Sequence, residues 1–185
     1  ALSTLEILPI KVAKAKSLSV QLKYKETVNY CLALLKGMGH KWVWNRHLVP
    51  VQAVAKLEQT LKLVRKLDDK FCQVTKRITD QEKKVVVSLL SRILYAAYHS
   101  ENLFLGILAN LEIVNMTLKH GLADYSGASF GGLAGAVMFL KQDYQLTTKL
   151  VDMALALQER IGRANAAETI SSVTTFCQLW TNPQE

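Results

Sequence analysis

The sequence predicts an all-α fold of antiparallel helix hairpins, and three observations carry that expectation. Apolar positions recur at helical spacing with lysines between them, as in "KLEQTLKLVRKL", the pattern of a helix with one buried and one wet face. Helix breakers are few, with three prolines and nine glycines among 185 residues. No segment alternates strictly enough over its length to argue for a strand. With 50% hydrophobic residues the chain has material for a sizeable core, which fits one helical domain spanning residues 1–185.

The elements follow in order. A first helix is expected from about Leu2 to Ser19 and a second from about Lys25 to Gly37, where "KGMGH" supplies a glycine stop. After the connector "HKWVWNRHL" a third runs from about Pro50 to Leu67, with the proline in the first turn, where its missing N–H costs nothing. In "ITDQEKKVVVSLLSRILYAAYHS", Thr79 reads as an N-cap, and Gln81 and Glu82 follow it at the positive end of the dipole. A long helix from about Asp80 to Tyr98 begins there. "SENLFLGILANLEIVNMTLKHG" starts again with Ser100 as its cap and closes on Lys119 and His120 beside Gly121, a cationic last turn with a left-handed stop. Gly127, Gly131, Gly132 and Gly135 stand at i, i+4, i+5 and i+8. They form a smooth stripe, with Ala128 and Ala134 at its margins, against which a second helix can pack closely. A phosphate loop is excluded at this glycine-rich stretch, since neither GxxxxGK[ST] nor GxGxxG occurs and no apolar strand precedes it.

Charge divides the chain unevenly. Residues 1–92 hold 18 Lys+Arg against 7 Asp+Glu, a net of +11, and residues 93–185 hold 5 against 8, a net of −3. A basic half can meet nucleic acid, an anionic membrane surface or an acidic protein face; the helical interleaving of its lysines reads first as solvated helix faces. The longest apolar runs fall short of the roughly 18 to 20 residues that cross a bilayer, so no membrane insertion is expected. The opening "ALSTLEIL" shows neither a basic n-region nor a cleavable apolar segment. The expectation is an excised piece of a longer cytoplasmic polypeptide.

Catalytic chemistry has little to stand on. Cys31, Cys72 and Cys177 are widely spaced and odd in number, which is neither a disulfide framework nor a metal motif, so each is read as a small apolar side chain. His40, His47, His99 and His120 show no paired ligand spacing on one helix, and capping, packing or surface roles are expected of them. Asp68 and Asp69 are adjacent and diverge on a helix. No GxSxG elbow is present, and no cysteine has a motif-linked base. The chain is expected to be no enzyme and to need no cofactor or metal.

The segment "AGAVMFLKQDYQLTTKLVDMALALQERIG" resembles one tetratricopeptide unit. Gly135 stands at the small position of its first helix, with Met138 one turn on and "QDY" at the turn. Thr147 and Ala154 take the small positions of the second helix. "LKYKETVNYCLALLKG" shows a similar second-helix pattern through Tyr24, Thr27 and Leu34, with Leu34 in place of the expected alanine. The expected architecture is a short, irregular tetratricopeptide-like α-α superhelix.

Beyond the repeat, five stretches resemble in order a helical region of large multidomain signalling proteins. They are "LLKGMGHKWV", "ITDQEKKVVVSLLSRILYAAYHSENLF", "VNMTLKHGLADYSGASFGGLAGAVM", "DYQLTTKLVDMALALQER" and the closing "FCQLWTNPQE" with Trp180 before Pro183. Such proteins carry a predicted AAA-type ATPase, often behind a Ser/Thr kinase-like domain, and continue into a GAF domain and a histidine kinase. The resemblance spans about Tyr24 to Glu185. It implies a linker between ATPase and sensor-kinase modules in a two-component system, with the phosphate loop and phosphoacceptor histidine elsewhere in the parent.

The functional expectation is a non-catalytic protein–protein interaction or signal-transmitting module whose partners are neighbouring ATPase, GAF or kinase domains or an external protein. Candidate contact residues are the aromatics Trp42, Trp44 and Tyr125, read as exposed, and the basic row Lys62, Arg65, Lys66 and Arg77. Gly121, Gly127, Gly131, Gly135, Thr147 and Ala154 are the expected repeat and hinge positions. The alternative is a nucleic-acid-binding helical domain using the basic N-terminal half.

Overall fold

The computed structural model describes residues 4–40, 48–68 and 70–174. Among them it is all-helical: α1 Thr4–Val20, α2 Tyr24–Gly37, α3 Val49–Val64, α4 Phe71–Val74, α5 Gln81–His99, α6 Leu103–His120, α7 Ser126–Lys141, α8 Tyr144–Ile161 and α9 Ala166–Val173. The extended pairing found among these residues is an isolated parallel bridge between Arg77 and Leu122. No described helix is long and apolar enough to cross a membrane.

The chain divides into two compact units. The first comprises Ala1–Gln59 and Thr79–Glu112, the second Thr60–Ile78 and Ile113–Glu185, so that α3 and α6 each supply residues to both. In the first unit α1 and α2 pack on each other and on α5. Ala15, Cys31, Leu35, Leu89, Leu90, Ile93, Ala96 and Ala97 are fully buried there, the apolar faces that helical spacing marks in "VVVSLLSRILYAA". The second unit is built on α7, packed against α8 and α9. Phe130, Leu133, Val137, Leu150, Ala154 and Leu157 close its core, and the Phe71 ring lies 6.3 Å from that of Phe130.

Three hairpin turns repeat one local design. Leu22, Glu101 and Gln142 sit at φ of 60°, 56° and 54°, each in the left-handed stop after a helix. The following residue opens the next helix: the amides of Thr27, Gly106 and Thr147 bond the carbonyls of Lys23, Asn102 and Asp143 at 2.9, 3.1 and 2.9 Å. That fourth position is small and buried each time. Thr27 and Thr147 also return their hydroxyls to the same carbonyls, at 2.9 and 2.8 Å.

Two expected caps are corrected. Asp80, not Thr79, caps α5: its Oδ1 accepts from Lys83 N at 3.2 Å while its Oδ2 accepts from Lys83 Nζ at 2.8 Å. The carboxylate adds charge to the cap, which a threonine cannot. Ser100 does not start α6 but ends α5, donating its hydroxyl to Ala96 O at 2.8 Å, and Asn102 takes the capping place before Leu103. The third helix stops at Val64 rather than Leu67 because Lys66 N and Leu67 N bond three residues back, a tightened final turn. The short helices α4 and α9 carry too few turns for periodicity to announce.

The glycine-rich stretch resolves into a corner and a helix. Gly121 has φ +108°, and a Cβ there would overlap the Lys76 carbonyl oxygen, because Leu122 N bonds Lys76 O at 2.7 Å. On α7, a Cβ at Gly127 would stand 2.8 Å from Gln158 Oε1 and 3.0 Å from Thr169 Oγ1, and one at Gly131 3.0 Å from Ser172 Cβ. The bare face is what lets α9 and Gln158 approach.

Candidate functional site

The basic row named from the sequence is split by the fold. Arg77 is part of a clamp inside the second unit. Its Nη2 donates to Arg160 O at 3.2 Å and Ile161 O at 2.7 Å, and its Nη1 lies 3.9 Å from Asp124 Oδ1. A guanidinium over the last carbonyls of α8 satisfies acceptors that the helix cannot. Arg160 in turn donates to Cys72 O at 2.5 Å. Tyr125, expected to be exposed, is half-buried at the start of α7. Trp42 and Trp44 lie outside the described residues, as do His47, Cys177, Trp180 and Pro183. Gly127, Gly131, Gly135, Thr147 and Ala154 are buried and Gly121 half-buried.

Arg65, of the remaining basic residues, meets a residue the sequence reading did not single out. Lys62 lies in the last turn of α3, and Arg65 and Lys66 continue it, Arg65 N still bonding Leu61 O at 2.9 Å. Arg65 Nη2 reaches Asp143 Oδ2 at 3.1 Å, and Lys149 Nζ donates to Leu67 O at 3.4 Å. These two contacts seat the end of α3 beside the α7–α8 corner. The corner is held by left-handed Gln142 and by Asp143, whose Oδ1 accepts from Leu146 N at 3.1 Å.

At this turn Phe139 is 58% exposed, Leu140 47% and Tyr144 55%, and on α3 Leu63 is 44% exposed. Phe139, Leu140 and Tyr144 lie within six positions of one another at the α7–α8 turn, closer together than singly scattered apolar residues of an ordinary surface. Asp143 is engaged by Arg65, and Asp68 Oδ1 accepts from Lys70 N at 3.1 Å. The sequence signal of this turn was "FLKQDY", where large apolar residues run into a turn whose last helical positions are normally polar.

Elsewhere, the first unit has an open cavity of about 460 Å³ lined by residues including Leu22, Lys23, Tyr24, Glu26, His99 and Glu101. The His99 ring stacks on Tyr24 at 5.0 Å and meets Tyr95 at 4.4 Å and Tyr98 at 5.4 Å. Tyr95, Tyr98 and His99 share a helix face at i, i+3 and i+4, a signal visible in "LYAAYH". Two lysines and two glutamates line this cavity, so it presents no net sign to a ligand.

The thiols are built for packing. Burial pushes Cys31 up to about 12, against a smaller downward pull from Arg92. Burial also raises Cys72, with Arg160 and Lys149 opposing. Thiols raised this way are protonated at neutral pH and poor nucleophiles. Among the described residues no group of three or more His, Cys, Asp or Glu is placed to hold a metal ion. Comparisons with protein-family models, with curated proteins and with solved structures find no match for this chain.

Proposed function

We propose that this chain is a non-catalytic helical-repeat module that binds, or transmits between, protein domains. The observation that carries the reading is the exposure of the large apolar side chains Phe139, Leu140 and Tyr144 at the α7–α8 turn, since exposed aromatic and apolar groups at one place mark association surfaces. The recurrent hairpin corner at Leu22, Glu101 and Gln142 supports a tetratricopeptide-like, irregular α-α arrangement, in which similar helix pairs follow one another. The resemblance to signalling ATPase and kinase linkers supplies the partner class, neighbouring domains of a longer cytoplasmic polypeptide. Small changes between helix pairs would then carry a state from one module to the next.

The test is a pull-down of the full chain against separately expressed ATPase, GAF and kinase domains of such a parent. Specific, saturable capture of one domain is expected; capture of none of them removes the interdomain reading.

A further inference from the structure

We propose that the open cavity beside the α1–α2 and α5–α6 turns binds a planar, uncharged heteroaromatic ring of the nucleobase kind. The cavity lies wholly within the first unit, so the assignment is independent of the association surface at the α7–α8 turn. Its volume of about 460 Å³ falls in the range of small-molecule sites. Two of its lining residues, Leu22 and Glu101, are the left-handed stops after α1 and α5, at φ of 60° and 56°.

Aromatic geometry supplies the recognition. Tyr24 and His99 both line the cavity, and their rings are stacked with centroids 5.0 Å apart and planes 13° apart. The Tyr95 ring lies 4.4 Å from that of His99, and the Tyr98 ring meets it edge-on at 5.4 Å. His99 is exposed although three rings approach it. A further ring arriving from solvent can therefore join the cluster face-on or edge-on, with the attraction that aromatic pairs have beyond buried area.

Charge selects against ions. Lys23, Lys25, Glu26 and Glu101 bring two ammonium groups and two carboxylates to the lining. A phosphate or an ammonium ligand meets one like charge for each opposite one. The edge of a nucleobase carries donors and acceptors together, and so matches carboxylate acceptors and ammonium donors at once.

The experiment follows the His99 and tyrosine ring protons of the full chain by NMR during titration with adenosine, ribose and ATP. Saturable shifts with adenosine, none with ribose, and no tighter binding of ATP than of adenosine are expected. His99→Ser, which removes the central ring, is expected to weaken adenosine about tenfold, and His99→Phe, which keeps a ring there, to stay within about twofold. Unchanged helical circular dichroism and melting show that each variant is folded.

Absence of saturable adenosine shifts in the unaltered chain overturns the proposal whatever the variants do. Adenosine affinity that a folded His99→Ser variant leaves unchanged also overturns it. ATP that binds more tightly than adenosine, and loses that advantage as salt is raised, marks the cavity as an anion site and overturns the uncharged-ring assignment.

Discussion

At the scale of single residues, backbone conformation separates positions that need glycine from positions that merely tolerate its absence. Gly121 needs it, having both φ +108° and the Lys76 carbonyl where a Cβ would go. Gly121→Ala is expected to cost about 3 kcal/mol, read as a lower urea midpoint at unchanged m. Leu22 is the reverse case, a side chain held at φ 60° and two-thirds exposed. Left-handed strain of roughly 1–2 kcal/mol outweighs the entropy glycine loses on folding. Leu22→Gly should therefore raise stability by a few tenths to about 1 kcal/mol; a destabilised variant would show that Leu22 contributes packing its exposure conceals.

Cys31 gives a pH dependence with a definite sign. Its thiol has an ordinary value of 9.0 and is pushed up to about 12 by burial, so above pH 9 the unfolded chain releases a proton that the folded chain keeps. The contribution is fully present below pH 9 and is lost as pH rises toward 12. Replacing Cys31 with Ala should flatten that part of the stability profile relative to the native chain, and iodoacetamide should leave native Cys31 unmodified at pH 8.

At the scale of elements, α7 is close-packed where it lacks side chains. Adding Cβ at Gly127 meets Gln158 and Thr169, whose own side chains are joined at 2.5 Å, while Gln158 Nε2 donates to Gly162 O and Ala164 O at 2.7 and 2.9 Å. That network fixes the turn between α8 and α9. Gly127→Ala gains about 1 kcal/mol of helix propensity but must displace the network, at about 1–3 kcal/mol of overpacking. The expected outcome is a net loss, with faster amide exchange in α9. The Arg77 clamp acts at the same scale. Arg77→Met keeps the aliphatic stem and removes two bonds to the end of α8, for an expected loss of about 1–2 kcal/mol in thermal or urea unfolding.

At the scale of the molecule, each unit has its own buried core, and two interrupted stretches of chain make up each one. Neither unit can be cut out as a continuous segment. Deleting α9, whose Thr169 and Val173 are buried against the second unit, should uncover α7 and broaden the unfolding transition; a deletion that melts as sharply as the full chain would show that α9 is dispensable.

The sequence by itself determined what is local: helical class, most helix spans to within a few residues, the left-handed stop at Gly121 and the buried small positions Thr147 and Ala154. These depend on periodicity and on groups within four residues of one another, which linear spacing displays. The choice between Thr79 and Asp80 as cap, or the role of Ser100, turned on single bonds that adjacent polar residues compete for. Tertiary structure alone decided which basic side chains are engaged. Arg77 and Asp143 find partners 83 and 78 residues away, and no spacing rule reaches that far. Only packing could bring Arg65 to Asp143 and Leu67 to Lys149, because those contacts follow from how the end of α3 meets a turn nearly eighty residues further along the chain.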